Sequence, residues 1–176
     1  MNAENTFNAP WGRSVKIVTG LVAVMAIALV LAGIARPAQM PVVVRLSLIL
    51  GPLLVMGATA FFAVRGYRIG NGEIEIERLG WSTHLSLDLL KSATVDSGAM
   101  RRSIRLAGDG GLFAIVGWYW NRKLRKYRAF ATDPKRSVVL KFTDRTVVVT
   151  PDNPERFVEA IRERSGITGT GERKDT

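Results

Sequence analysis

Two long runs without a charged residue, Ile17 to Ala35 and Leu46 to Val64, interrupt a chain whose remainder alternates apolar and polar positions over short distances. As a helix, each run of 19 residues reaches roughly 29 Å at about 1.5 Å per residue, which matches a hydrocarbon core of about 30 Å. Cations bracket both runs: Lys16 and Arg36 the first, Arg45 and Arg65 the second. Pro37 and Pro41 in the joining segment forbid one continuous helix. The pattern therefore predicts a two-helix transmembrane hairpin over residues 15–64, with helices at about 17–35 and 46–64. Apolarity on every face argues against buried helices of a soluble protein. A second span directly after the first argues against a cleaved signal sequence. Pro52 is expected to bend the second helix, and small residues at four-residue spacing, Ala28 with Ala32 and Ser47 with Gly51, are expected in the helix seam first and on a dimer face second.

Beyond the hairpin the period changes from helical to two. Glu73-Ile74-Glu75-Ile76-Glu77 follows the turn signal Gly70-Asn71-Gly72 and places both isoleucines on one face, as a half-buried strand requires. The three glutamates then form its solvated face. Further strands are expected at His84 to Leu90, around Ile104 to Leu106, and at Arg128–Thr132, Val138–Thr143 and Thr146–Thr150, with a glycine turn at Gly108 to Gly111. Pro151-Asp152-Asn153-Pro154 then starts a helix in which Phe157, Val158, Ala160 and Ile161 share a face. Residues 1–14 are a polar N-terminus, expected to be mobile up to Gly12 and to carry Trp11 as an interfacial anchor; residues 65–165 form one domain, and a disordered tail is expected at 166–176.

Charge gives the hairpin a direction. Arg13, Lys16, Arg65, Arg68 and Arg78 flank the side that holds both ends, against Arg36 and Arg45 at the turn. That bias predicts a two-pass protein of the plasma (inner) membrane with both termini cytoplasmic. Of a net charge of +10, most belongs to the domain: from residue 65 onward, 21 Lys and Arg oppose 14 Asp and Glu. A basic domain held at that surface attracts anionic headgroups. The absence of cysteine excludes disulfides, thiol catalysis and cysteine metal sites.

The strand succession closed by one C-terminal helix resembles the pleckstrin-homology (PH) fold. Gly110-Gly111-Leu112-Phe113, the aromatic stretch after Gly117, Tyr127 to Asp133, Ser137 to Phe142 and, most specifically, the stretch from Thr150 to Phe157 resemble bacterial PH domain membrane proteins. The resemblance implies a two-helix transmembrane hairpin followed by a PH-like all-β sandwich or barrel capped by a C-terminal α-helix. It implies no ligand.

Two basic groups are the candidate sites. Trp118, Tyr119 and Trp120 precede Arg122, Lys123, Arg125, Lys126 and Arg128, a combination suited to lipid or partner contact. Arg101, Arg102 and Arg105, with the backbone amides of the glycine segment, are the candidate anion contacts. The only histidine, His84, has no nucleophile presented to it, and Phe113 stands where a dinucleotide fingerprint needs its third glycine. The expected function is a non-catalytic, membrane-tethered interaction module without cofactor or metal. Its expected partners are the lipid bilayer, anionic phospholipid headgroups, and another membrane protein or a second copy of the chain, with no nucleic acid. The alternative is a small-ligand-binding or catalytic accessory subunit of a membrane complex.

Overall fold

The computed structural model describes residues 5–35, 41–70 and 72–165. Two helices come first: α1 (Arg13–Ala35) and α2 (Val42–Phe61), each long and apolar enough to cross a membrane. Their apolar side chains point outward. Val43 is 75% and Leu54 70% exposed, and no residue of α2 is buried, whereas a core helix would be covered on at least one stripe. The seam between them is set by Ala26 and Gly33. A β-carbon on Gly33 would stand 3.0 Å from Ile49 Cγ1, so α2 passes close there. Ala28, Ala32 and Ser47 are exposed, which corrects the expected seam. The four-residue spacing marks a different face of α1 from the one that meets α2.

A short strand, β1 (Thr6–Asn8), precedes α1. It pairs antiparallel with β2 (Val64–Gly70), the strand that follows α2, in register Phe7 to Tyr67. Of the segment expected to be mobile, Thr6–Asn8 is thus part of the domain, and residues 1–4 lie outside the described residues. Phe7 is buried and its ring lies 5.0 Å, edge-on, from that of Phe157. Val64, placed by its apolarity at the end of the second span, begins β2 instead. With β3 (Glu73–Arg78) and β4 (Ser82–Ser86), these strands form the first sheet, in order β1-β2-β3-β4.

The second sheet contains β5 (Leu90–Val95), β6 (Ile104–Gly110), β7 (Ile115–Asn121), β8 (Arg125–Ala131), β9 (Val138–Phe142) and β10 (Thr146–Val149). Its order is β5-β9-β10-β8-β7-β6, with β10 parallel to β8. The expected single strand from His84 to Leu90 is broken. A 3₁₀ turn at Leu87–Leu89, capped by Ser86 Oγ accepting from the Asp88 N–H, carries the chain from one sheet to the other. Because no ladder joins the sheets, the domain is a sandwich and not a closed barrel.

Side chains of both sheets, among them Tyr67, Ile74, Ile76, Phe130, Leu140 and Val149, meet in one core. Helix α3 (Pro154–Ser165) closes its end by inserting Phe157, Val158 and Ile161. Asn153 caps α3 by accepting from the Arg156 N–H at 3.1 Å, and Pro154 occupies its first turn. The opposite face of the second sheet carries Tyr119, Tyr127, Ala129 and Val148, and Val15 from the first turn of α1 packs into that layer. The hairpin and the domain therefore share a core.

Candidate functional site

The β6–β7 hairpin occupies the space between the helix ends. On one side, Thr19 Oγ1 of α1 accepts from the Phe113 N–H at 3.0 Å, and the Trp11 ring lies 5.8 Å from that of Phe113. On the other, Ala58, Thr59 and Phe62 face Val116 and Gly117 across an apolar cavity of about 340 Å³. Gly108 and Gly117 are paired here with φ of 104° and 147°. Their backbones nearly touch: a β-carbon on Gly117 would lie 2.1 Å from the Ala107 carbonyl oxygen. Of the amides expected to bind an anion, that of Gly111 already donates to Asp109 Oδ1 at 3.1 Å, as does the next amide, Leu112, at 3.1 Å.

From this end β7 runs about 20 Å to its far end, at about 3.4 Å per residue. There Asn121, only 3% exposed, organises the turn. Its Oδ1 accepts from the Leu124 N–H at 2.7 Å, while Nδ2 donates to the Ala99 carbonyl at 2.7 Å and to Ser103 Oγ at 2.9 Å. Tyr127 adds a bond to Ser103 Oγ at 2.7 Å, and Lys123 pairs with Asp96 at 2.5 Å. The loop between β5 and β6 is thus fastened to the β7–β8 turn. This fastening unites the two basic groups: Arg101 and Arg102 line one open cleft of about 770 Å³ with Ile104, Trp120, Arg122 and Lys123. Arg102 holds φ 55° and Arg125 φ 60°, left-handed conformations that a non-glycine residue adopts at a cost of about 1–3 kcal/mol.

The other expected site residues lie elsewhere. Arg105 folds its guanidinium over Gly110, away from Arg101 and Arg102. Tyr119 is 6% exposed and donates to the Asp109 carbonyl at 2.7 Å, so its ring belongs to the core layer under α1 and not to the contact surface. Burial pushes its phenol up to about 12. Lys126 Nζ stacks 4.7 Å over Trp118, and Arg128 Cζ stands 5.9 Å from the same ring. His84 pairs with Glu73 at 3.0 Å on an exposed face, and Arg68 bridges Glu75 and Glu77. Among the described residues no three acidic or histidine side chains gather as a metal site would require.

The model of the bacterial PH domain family matches residues 65–165. The chain belongs to that family. No curated protein and no solved structure matches it.

One further cationic group of this PH domain lies beside the helices. Arg78 ends the inward face of β3, in line with Ile74 and Ile76, and is 7% exposed. Its Cζ lies 3.9 Å over the Trp81 ring and 5.0 Å from the Phe130 centroid; Arg128 shares the Phe130 ring at 4.8 Å. Arg78 Nε and Nη2 have no hydrogen-bond partner, and no acid pairs with either guanidinium among the described residues. Desolvation, then the charge of Arg128, pulls Arg78 down to about 10, so it stays charged at neutral pH. Sequence reasoning counted Arg78 only as a flanking charge. The signal was present in the alternation, whose third inward position after Ile74 and Ile76 is an arginine.

Proposed function

We propose that the chain is a membrane-tethered, non-catalytic interaction module whose hairpin spans the plasma membrane and whose PH domain sits at the cytoplasmic face. The pairing of β1 with β2 carries this reading. Strands on either side of the hairpin belong to one sheet, which supports a hairpin whose two ends emerge on the same side of the bilayer. The basic flanks Arg13, Lys16 and Arg65 favour the cytoplasmic side.

A domain welded to two membrane helices samples a thin layer of space, which raises its effective concentration toward other residents of the same membrane. The far cleft is the contact surface we assign to such a resident. Its distance along β7 from the helix ends exceeds the Debye length of about 8 Å at physiological salt, and Arg101, Arg102, Arg122 and Lys123 around Trp120 suit an acidic segment carrying an apolar side chain. A photo-crosslinking residue at Arg122, in the full chain in native membranes, tests this. The expected product is one membrane-protein adduct that disappears when Arg101 and Arg102 become glutamine. Lipid adducts alone, or a protein adduct indifferent to those substitutions, would contradict the assignment.

A further inference from the structure

We propose that one anionic phospholipid docks beneath α2, its acyl chain in the cavity between α2 and the β6–β7 hairpin and its phosphate between Arg78 and Arg128. The inference rests on the reading that α1 and α2 cross a bilayer, and it concerns surfaces other than the far cleft.

The apolar and cationic parts of the site are contiguous. Val116, which lines the cavity, pairs with Phe130, the ring shared by both guanidiniums; Trp118, two pairs further along on the same face, pairs with Arg128. Phe62, at the other wall, packs edge-on against Trp81 at 5.6 Å, and Trp81 carries Arg78 on its face. Phe130 itself is buried, so the path from apolar side chains to the two cations runs over Val116 and Trp118 on one wall and Phe62 and Trp81 on the other.

Each part lacks a paired complement among the described residues: Glu75 and Glu77, which share a cleft with Arg78, are bridged by Arg68. The cavity walls are almost wholly apolar, and the one acid there, Asp109, is turned into its own loop by the Gly111 and Leu112 amides. Ring faces attract the guanidiniums but accept none of their hydrogen bonds. A buried guanidinium with two unpartnered nitrogens calls for an anion, and a phosphate accepts such bonds bidentately. A phospholipid supplies both chemistries in one molecule. Where α2 leaves the bilayer, flanked by Phe61, Phe62 and Trp81, lipid is also the most abundant neighbour.

The experiment uses the full chain in nanodiscs of mixed phosphatidylglycerol and phosphatidylcholine, released into native mass spectrometry. We expect one retained phosphatidylglycerol per chain, with retention lowered about tenfold by Arg78→Met and by Arg128→Gln, as the loss of a charge-assisted bond implies. Val116→Trp, which fills the cavity and keeps both cations, is expected to lower it as well, and covers the case in which Arg78→Met fails to fold. Equal retention of phosphatidylcholine, or retention unchanged in Arg128→Gln and Val116→Trp, overturns the site. Displacement of the lipid by millimolar inorganic phosphate assigns the cations to a free anion and overturns it too. A chain that fails to enter nanodiscs and stays soluble after alkaline extraction refutes the membrane reading itself, a distinct result.

Discussion

The two cationic regions of this domain are built on opposite principles. Arg78 and Arg128, next to α2, are stacked on Trp81, Phe130 and Trp118 and pair with no acid among the described residues, so their charge is held in place by rings; Arg78 is buried and Arg128 half-buried. Arg101, Arg102 and Arg122, at the far end of β7, are exposed, and the neighbouring Lys123 already has Asp96 as a partner. A desolvated cation is sensitive to what binds it and to every change in the core beneath it; an exposed cation is screened by salt and nearly indifferent to the fold. The same residue type is thus part of the architecture at one end of the strand and an addition to it at the other.

Four perturbations separate the two regions. The largest effect is expected from Gly117→Ala, which forces a β-carbon against the Ala107 carbonyl at a positive φ. Strain and overpacking together predict a loss of about 3 kcal/mol in unfolding free energy, measured by denaturant titration in detergent. The perturbation should spread to Trp118 fluorescence beside α2 before it reaches the loop held by Asn121.

Alkaline pH is the next lever. Tyr67 donates to the Phe130 carbonyl at 2.6 Å from full burial, and burial pushes its phenol up to about 12. The folded state therefore holds this proton more tightly than the unfolded chain, where the phenol titrates near 10. Stability is complete below pH 10 and falls as pH rises toward 12, by about 2–3 kcal/mol from this group. Tyr67→Phe should reduce that slope, Tyr119 keeping its own share, and an unchanged slope would refute the assignment.

Smaller, and opposite in sign, is Arg78→Met. In neutral detergent it should stabilise the fold by about 1 kcal/mol, because relief of an unsatisfied buried cation exceeds the lost ring contacts. In phosphatidylglycerol the sign should reverse. Glutamine at Arg101, Arg102, Arg122 and Lys123 together is the least disruptive: stability should stay within about 0.5 kcal/mol. A large loss there would erase the distinction between the regions.

What the sequence disclosed depended on how local the determining contacts are. Both apolar runs, the Glu73–Glu77 alternation and the Asn153-Pro154 start of α3 announce themselves within a few residues, since period and capping are local properties. β1 does not, because three residues carry no period and Phe7 finds its place only by meeting Tyr67 and Phe157. Leu85, Leu87 and Leu89 alternate as if in one strand, yet the chain crosses between sheets there: Leu85 and Leu87 enter the core, Leu89 is left exposed, and Leu90 takes the next inward place. The site divides likewise. The basic residues were legible one by one, but their union in a cleft depends on Asn121 bonding across 22 positions to Ala99. Arg78 was obscured because an inward arginine makes sense only once Trp81 and Phe130 are seen around it.

The central claim, that strands on both sides of the hairpin share one sheet and so hold the domain against a bilayer, can be measured through cysteine, which the chain lacks. Single substitutions Asn8→Cys, Lys135→Cys and Gln39→Cys, labelled with a membrane-impermeant maleimide in sealed vesicles of known orientation, report sidedness directly. We expect Asn8→Cys and Lys135→Cys to label together from the cytoplasmic side while Gln39→Cys, in the segment joining the two apolar runs, labels only from the other. Labelling of all three from one side, or of Asn8→Cys and Lys135→Cys from opposite sides, would contradict it.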